Sequence, residues 1–443
     1  MAARPEILVV GAGLAGSEAA WQLASRGYPV RLVEMRPRRM TAAHVTGHCA
    51  ELVCSNSLGA DALTSAGGIL KAEMRRLGSL ILSVADERRV PAGQALAVDR
   101  EGFARAVTDR LASHPLIRME CDEIVELPRG PAIVATGPLT SGRLAEALKE
   151  RAGGFLAFFD AVAPVVTVDS VDFSVAFRAG RYGRGDDYVN CPMDEEQYRA
   201  FHKALVEAEG APRKDFERDM SYFEGCLPVE IIASRGPETL RFGPLKPVGL
   251  VDASRPDREF FAVVQLRQDN GEGTLFNLVG FQTNLRWGEQ ERVFRMIPGL
   301  ERAEFVRFGV MHRNVYLCAP RVLDGALRLK GEEDLFLAGQ IVGVEGYMES
   351  TAMGLVAALN VAARCEGRPF PLWPRETAIG SLLHYLVDAL PATFQPMNVN
   401  LGIFPSLERK VRPKPERCRQ VALRALEALE KGVRKEDLPE NLR

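Results

Sequence analysis

At 443 residues, with 47% hydrophobic and 26% charged side chains, the chain has the balance of a globular protein with two or three compact domains, not of a disordered or fibrous one. Its formal charge of -2 hides local contrast, because Arg36, Arg38 and Arg39 cluster, as do Arg75 with Arg76, and Arg178, Arg181 and Arg184; a near-neutral total therefore does not exclude nucleic acid. No apolar run approaches the roughly 18 to 20 residues of a membrane span, and Met1 to Glu6 is not a basic region leading into a long apolar one. The expectation is a cytoplasmic protein, in which eight cysteines are thiols and not a disulfide scaffold.

The first pattern in the chain is the most regular. Ile7 to Val10 is an apolar run ending in Gly11-Ala12-Gly13-Leu14-Ala15-Gly16, helix formers follow from Ser17 to Ala24, and Val30 to Val33 reads as a second strand with Glu34 at its carboxyl end. This is one βαβ unit, so its strands are parallel. Gly11 permits a tight turn, Gly13 lets backbone approach a pyrophosphate, and Gly16 lets helix and strand pack closely. The helix amino terminus offers N–H groups to the negative charge. Glu34, 23 residues after Gly11, is placed to accept from an adenosine ribose.

Two later runs, Ala132 to Gly137 and Leu335 to Gln340, read as further strands of the same sheet, each ending in glycine at the expected cofactor edge. Between them, Val165 to Val171, Phe260 to Leu266 and Leu275 to Phe281 alternate among Gly and Pro turns, the pattern of an inserted antiparallel sheet. Ser350 to Ala363 and Val421 to Gly432 read as helices, and the tail from Arg409 through Lys410, Arg412, Lys414, Arg417 and Arg419 is the densest basic run. The expected class is α/β: a Rossmann-like FAD-binding domain of glutathione-reductase type, residues 1–150 and 325–443, carrying an inserted mixed α+β domain, residues 151–324.

FAD, not NAD, follows from a resemblance. Flavoproteins of the glutathione-reductase-like superfamily carry an A-T-G turn and a late L-F-x-A-G-D strand, which Ala135-Thr136-Gly137 and Leu335 to Gln340 resemble, with Gln340 where many members have Asp.

His44 to Leu58, directly after the first unit, is the densest polar cluster in the chain. His44, His48, Cys49 and Cys54 are potential zinc ligands, although no second pair at finger or ribbon spacing completes a set. Cys49 and Cys54 also stand in a C-x4-C arrangement similar to that of nicotinamide-fed flavin disulfide reductases, whose second Gly-rich nicotinamide turn has no counterpart after Gly137. In the third reading one thiol is a nucleophile.

That third reading rests on longer strings. Ala50 to Leu58, Tyr222 to Glu230, Phe242 to Leu250 and Ala338 to Tyr347 closely resemble segments of the folate- and FAD-dependent tRNA uracil-5-methyltransferases, a likeness spanning nearly the whole chain. The resemblance implies methylation of carbon 5 of the T-loop uridine 54 of tRNA. It implies 5,10-methylenetetrahydrofolate as carbon donor, reduced FAD as reductant, and NADPH or NADH as the external source of electrons. It implies Cys54 and Cys226 as the catalytic pair, one adding to uracil carbon 6 and the other handling the carbon 5 proton, with Cys54 favoured as nucleophile. Flavin contacts would come from Gly11, Ala12, Gly13, Leu14, Ala15, Gly16, Glu34, Thr136, Gly137, Gly339 and Gln340. The pterin would be walled by Trp287 or His312, with Glu345 or Glu349 accepting from its amino group. Basic clusters would meet the T-arm, and Tyr222 or Phe223 would stack a flipped base. No metal is expected. Two alternatives remain: the related GidA-like flavoproteins of wobble-uridine modification, longer by a helical carboxyl domain, and the disulfide reductases above.

Overall fold

The structure is a computed structural model that describes residues 4–41, 43–154, 156–161, 163–211, 227–409 and 411–433. Its organising element is a five-stranded parallel sheet in the spatial order Leu335–Leu337, Ala132–Val134, Ile7–Val10, Val30–Glu34, Ile117–Cys121. The three central strands are apolar because both faces are covered: Ile7, Val9, Ile133, Val134 and Leu32 are almost wholly buried. This is the expected Rossmann-like α/β arrangement, and both late strands take their places in it. The edge strand Ile117–Cys121 escapes sequence reading because its outer side is half exposed and carries Arg118 and Glu120.

Two helices make the sheet's cover. Leu14–Ala24 follows the first strand, and Tyr347–Cys365 packs across it, buried on every side from Thr351 to Ala363. The two approach so closely that a Cβ on Gly354 would lie 2.1 Å from the Ala15 carbonyl oxygen. Helix Lys414–Gly432 starts seven residues earlier than its apolar composition implies, opened by Pro415 in its first turn.

A second core lies under a six-stranded sheet, ordered Phe177–Arg178, Tyr188–Met193, Ala262–Gln268, Leu275–Leu278, Val165–Thr167, Phe305–Arg307, with every neighbouring pair antiparallel. Phe201, Phe276, Phe281 and Phe294 fill it, supplied partly by helices Glu195–Glu207 and Trp287–Phe294. The first of these helices is opened by a capping box between Asp194 and Gln197. Two antiparallel strands, Leu156–Ala161 and Met311–Tyr316, carry the chain out to this sheet and back. Among the described residues no helix is long and apolar enough to cross a membrane.

One buried carboxyl in this scaffold sets a pH dependence. Glu73, fully buried, accepts from the N–H groups of Ala378 (2.6 Å) and Ile379 (3.0 Å), capping helix Ala378–Asp388. Burial pushes it up from 4.5 to about 8, against the pull of those N–H groups. A carboxyl raised in the fold favours the folded state fully below its unfolded value and loses that contribution as pH rises through the folded one. The protein is therefore expected to lose on the order of a few kcal/mol between about pH 4.5 and pH 8 through this group. Glu73→Gln should flatten that part of the stability curve, checked by urea melts across the range.

Candidate cofactor and cysteine site

The turn after the first strand has the geometry its glycines imply. Gly11 sits at φ +94°, and a Cβ there would lie 2.7 Å from the Ala135 carbonyl oxygen. A Cβ on Gly16 would fall 1.8 Å from the carbonyl oxygen of Gly11, so this residue lets the helix rest on the turn. Gly13 differs: nothing lies within 4 Å of where its Cβ would be, which leaves an open backbone face at the helix amino terminus. Gly137 (φ +65°) is equally open, whereas a Cβ on Gly339 (φ +83°) would meet Ala15 at 2.9 Å.

Glu34 closes one side of the turn. Its Oε2 accepts from the Ala12 N–H at 2.8 Å, and its Oε1 accepts from the backbone N and Nε of Arg36, each at 3.0 Å. Burial pushes the carboxyl up, but the Arg36 guanidinium and the N–H groups of Ala12 and Arg36 outweigh it and hold it below its ordinary value. Arg36 also donates to Glu51 Oε2 at 3.2 Å, and Glu51 in turn accepts from Val45 and Thr46. The loop that leads to the cysteines is thus tied to the ribose-side strand. Arg36 is 3% exposed, so it is structural and does not belong to a basic surface with Arg38 and Arg39.

A cavity of about 440 Å³ opens over this turn. Its wall includes Gly11, Gly13, Leu14, Ala15, Glu34, Thr136, Gly137, Gly339, Gln340 and Glu345, together with Cys54. Ala12 and Gly16 are not part of the wall. Gln340, at the position where many flavoproteins have Asp, donates from Nε2 to Glu345 Oε2 at 2.7 Å. Trp287 is not part of the wall: it is 62% exposed and stacks on Phe308 with ring centroids 5.4 Å apart. The side chain of His312 lies outside the described residues, as do Tyr222, Phe223 and Cys226.

The cavity also brings in Lys71, which no sequence pattern marks, beside Glu349 and Tyr347. Lys71, 1% exposed, donates to the carbonyls of Ala60 (2.9 Å) and Gly67 (3.3 Å), and burial lowers it to about 8. Glu349 accepts from the Val399 N–H at 3.0 Å and is raised by burial, with Lys71 opposing. Tyr347 contributes its hydroxyl, 2.7 Å from the N–H of Cys54. A lysine on a well-packed helix reads as an ordinary surface position until tertiary packing places it.

Cys49 and Cys54 have different surroundings. Cys49 is 1% exposed, and burial pushes its thiol up to about 11, while its N–H donates to Thr108 Oγ1 at 2.8 Å. Cys54 is half-buried, on the cavity wall, and not joined to Cys49. Cys54 is thus the more accessible thiol of the two, while burial opposes ionisation of Cys49. The segment is attached to the dinucleotide turn through the Ala50 N–H, which donates to the Ala12 carbonyl at 2.8 Å. Among the described residues no three His, Cys, Asp or Glu side chains are grouped to hold a metal ion.

The family model of GIDA, glucose inhibited division protein A, matches residues 6–369. The methylenetetrahydrofolate--tRNA-(uracil-5-)-methyltransferase TrmFO of Desulforudis audaxviator is 61% identical over 427 residues, 96% of this chain and 97% of that protein. The TrmFO of Moorella thermoacetica is 58% identical over 425 residues, covering 95% and 97%. Among solved structures, GidA of Aquifex aeolicus superposes with a TM-score of 0.71 over 99% of this chain and 75% of that one, at 16% identity, a likeness of fold alone. Identity above one half, running through both cores, decides the matter: the chain belongs to the TrmFO family, on the GidA fold.

Proposed function

We propose that the chain methylates carbon 5 of the T-loop uridine of tRNA, with 5,10-methylenetetrahydrofolate as carbon donor and reduced FAD as reductant. The observation that carries this reading is that the dinucleotide turn and Cys54 line one cavity. The residues present fit FAD: an open glycine face at a helix amino terminus for the pyrophosphate, Glu34 at the end of the second strand, and two positive-φ glycines where side chains would intrude. When bound, the flavin supplies the electrons that convert the transferred methylene into a methyl group.

The protein's own groups do the rest. Uracil carbon 5 is a weak nucleophile until a thiolate adds at carbon 6 and makes an enolate; Cys54 takes that part, and Cys226 takes the carbon 5 proton afterwards. Glu345, held by Gln340, faces the cavity as an acceptor for a pterin amino group, and His312 is assigned to the outer wall of the pterin. Trp287, away from the cavity wall, is left out of that role. The exposed Arg409, Arg412, Arg417 and Arg419 are assigned to tRNA phosphates, whereas Arg75 is occupied by Asp61 and Asp86. NADPH or NADH recharges the flavin, and the reaction belongs to the cytoplasm. Residues 1–150 with 325–443 act as the flavin-binding unit, and 151–324 as the domain inserted into it.

Reduced protein, a T-arm transcript and labelled methylenetetrahydrofolate, mixed anaerobically, test the proposal. The expected outcome is label at uracil carbon 5. Label confined to an anticodon-loop uridine would favour the wobble-modifying relatives, and NADPH-driven reduction of a small disulfide at enzymatic rates would favour a reductase.

A further inference from the structure

The loop that carries Cys54 is held by arginines from three different elements. Arg100, at the start of helix Arg100–Ala112, donates to the carbonyls of Leu52 and Cys54, the latter from both Nη atoms at 3.4 Å. Arg307, at the end of strand Phe305–Arg307, donates to the Val53 carbonyl at 2.5 Å. Arg267, on strand Ala262–Gln268, donates from Nε to Asn56 Oδ1 at 3.1 Å. Asn56 completes the seam by donating to the carbonyls of Val98 (2.9 Å) and Gln268 (2.8 Å).

The charges in this cluster do not balance. Asp269 forms a two-point pair with Arg100, at 3.0 and 2.8 Å, and is tied by Asn277 (3.0 Å) to Asn56. Arg267, only 9% exposed, is met by the neutral Asn56 and Asn277 and by the Tyr188 side chain, and Arg307 by a carbonyl. Burial lowers both of these guanidinium groups, the direction expected of cations short of counter-charge. A thiolate at Cys54 interacts electrostatically with all three arginines. Tyr347 and Tyr188 are the other titratable groups beside them, and Lys71, Glu349, Glu345 and His44 line the same cavity.

We propose that Arg267 and Arg307 are positioning residues that hold the Cys54 loop and stabilise its thiolate, with Asp269 as the opposing charge that tempers them. The second core thereby activates a cysteine carried by the first. Catalysis by Cys54 rests on the function proposed above, but the ionisation of its thiol does not, so the two are tested separately.

The test is the pH dependence of Cys54 alkylation by iodoacetamide in the FAD-loaded protein, read by mass spectrometry of the Cys54 peptide without tRNA or folate. Arg307→Gln and Arg267→Gln should each raise the midpoint by about one pH unit, a tenfold slower reaction at neutral pH. Arg307→Lys should restore most of the shift. Asp269→Asn should move the midpoint the opposite way, downward, whereas mere loosening of the loop would change reactivity in the same sense in all the variants. Unmoved midpoints, or shifts of one sign throughout, overturn the proposal. If an Arg→Gln variant loses its flavin, Asp269→Asn decides the question: a lowered midpoint supports the proposal, and an unmoved or raised one overturns it.

Discussion

Cys54→Ala is expected to keep its flavin and lose methylation. The thiol contributes none of the backbone bonds that fix its loop: the N–H to Tyr347 and the carbonyls to Arg100 and Arg307 survive the substitution. Absorbance of bound FAD and the melting curve should therefore match the parent protein. Transfer of label to uracil should fall by at least about 10³-fold, since without a nucleophile at carbon 6 the ring offers no enolate to the one-carbon unit. Cys226→Ala should cost about 10² to 10⁴-fold if that thiol only moves a proton. Release of tritium from carbon 5 of uridine separates the parts. The variant lacking the nucleophile neither binds the base covalently nor labilises that hydrogen, and the variant lacking the base accumulates adduct without releasing it. Turnover unchanged in both variants would remove covalent catalysis from the mechanism.

The parts of this site that can be read from sequence are those in which one stretch of chain does the whole job. The Gly11 to Gly16 turn, the strands on either side of it and Glu34 lie within about thirty residues and are held by near-neighbour geometry, so pattern alone places them. The two late strands are similarly legible, because a strand buried on both faces has to be continuously apolar. What could not be read is whatever depends on packing between distant segments. Lys71, Arg100, Arg267 with Asp269, and Arg307 come from four places in the chain that share no spacing, yet they surround one cysteine loop or its cavity. Charge clusters mislead for the same reason: Arg36 is adjacent in sequence to exposed arginines but is consumed by Glu34 and Glu51 in the interior. Trp287 shows the converse error, a residue attractive for ring stacking whose helix sends it to the surface against Phe308.

Gly16→Ala should be far more damaging than Gly13→Ala, although both lie in the same six-residue turn. At Gly16 the added methyl would lie 1.8 Å from the Gly11 carbonyl oxygen, a backbone atom with no rotamer to yield. The helix cannot simply lift away, because its other side is pinned by Gly354, whose own missing Cβ lets the Tyr347–Cys365 helix come within 2.1 Å of the Ala15 carbonyl. The whole Leu14–Ala24 helix would have to shift, which costs about 1–3 kcal/mol or more in a close-packed core and misplaces the amides meant for a pyrophosphate. Gly13, in contrast, has φ -69°, which any residue adopts, and open space around its Cβ position. Alanine there should leave the melting temperature of the flavin-free protein unchanged and weaken FAD binding alone, since the methyl would project into the space a pyrophosphate needs. Thermal melts of the stripped proteins, followed by fluorescence titration with FAD, distinguish the two. A Gly16→Ala protein as stable as its parent would show that the helix is free to move, and equal FAD affinity in Gly13→Ala would move the dinucleotide off this turn.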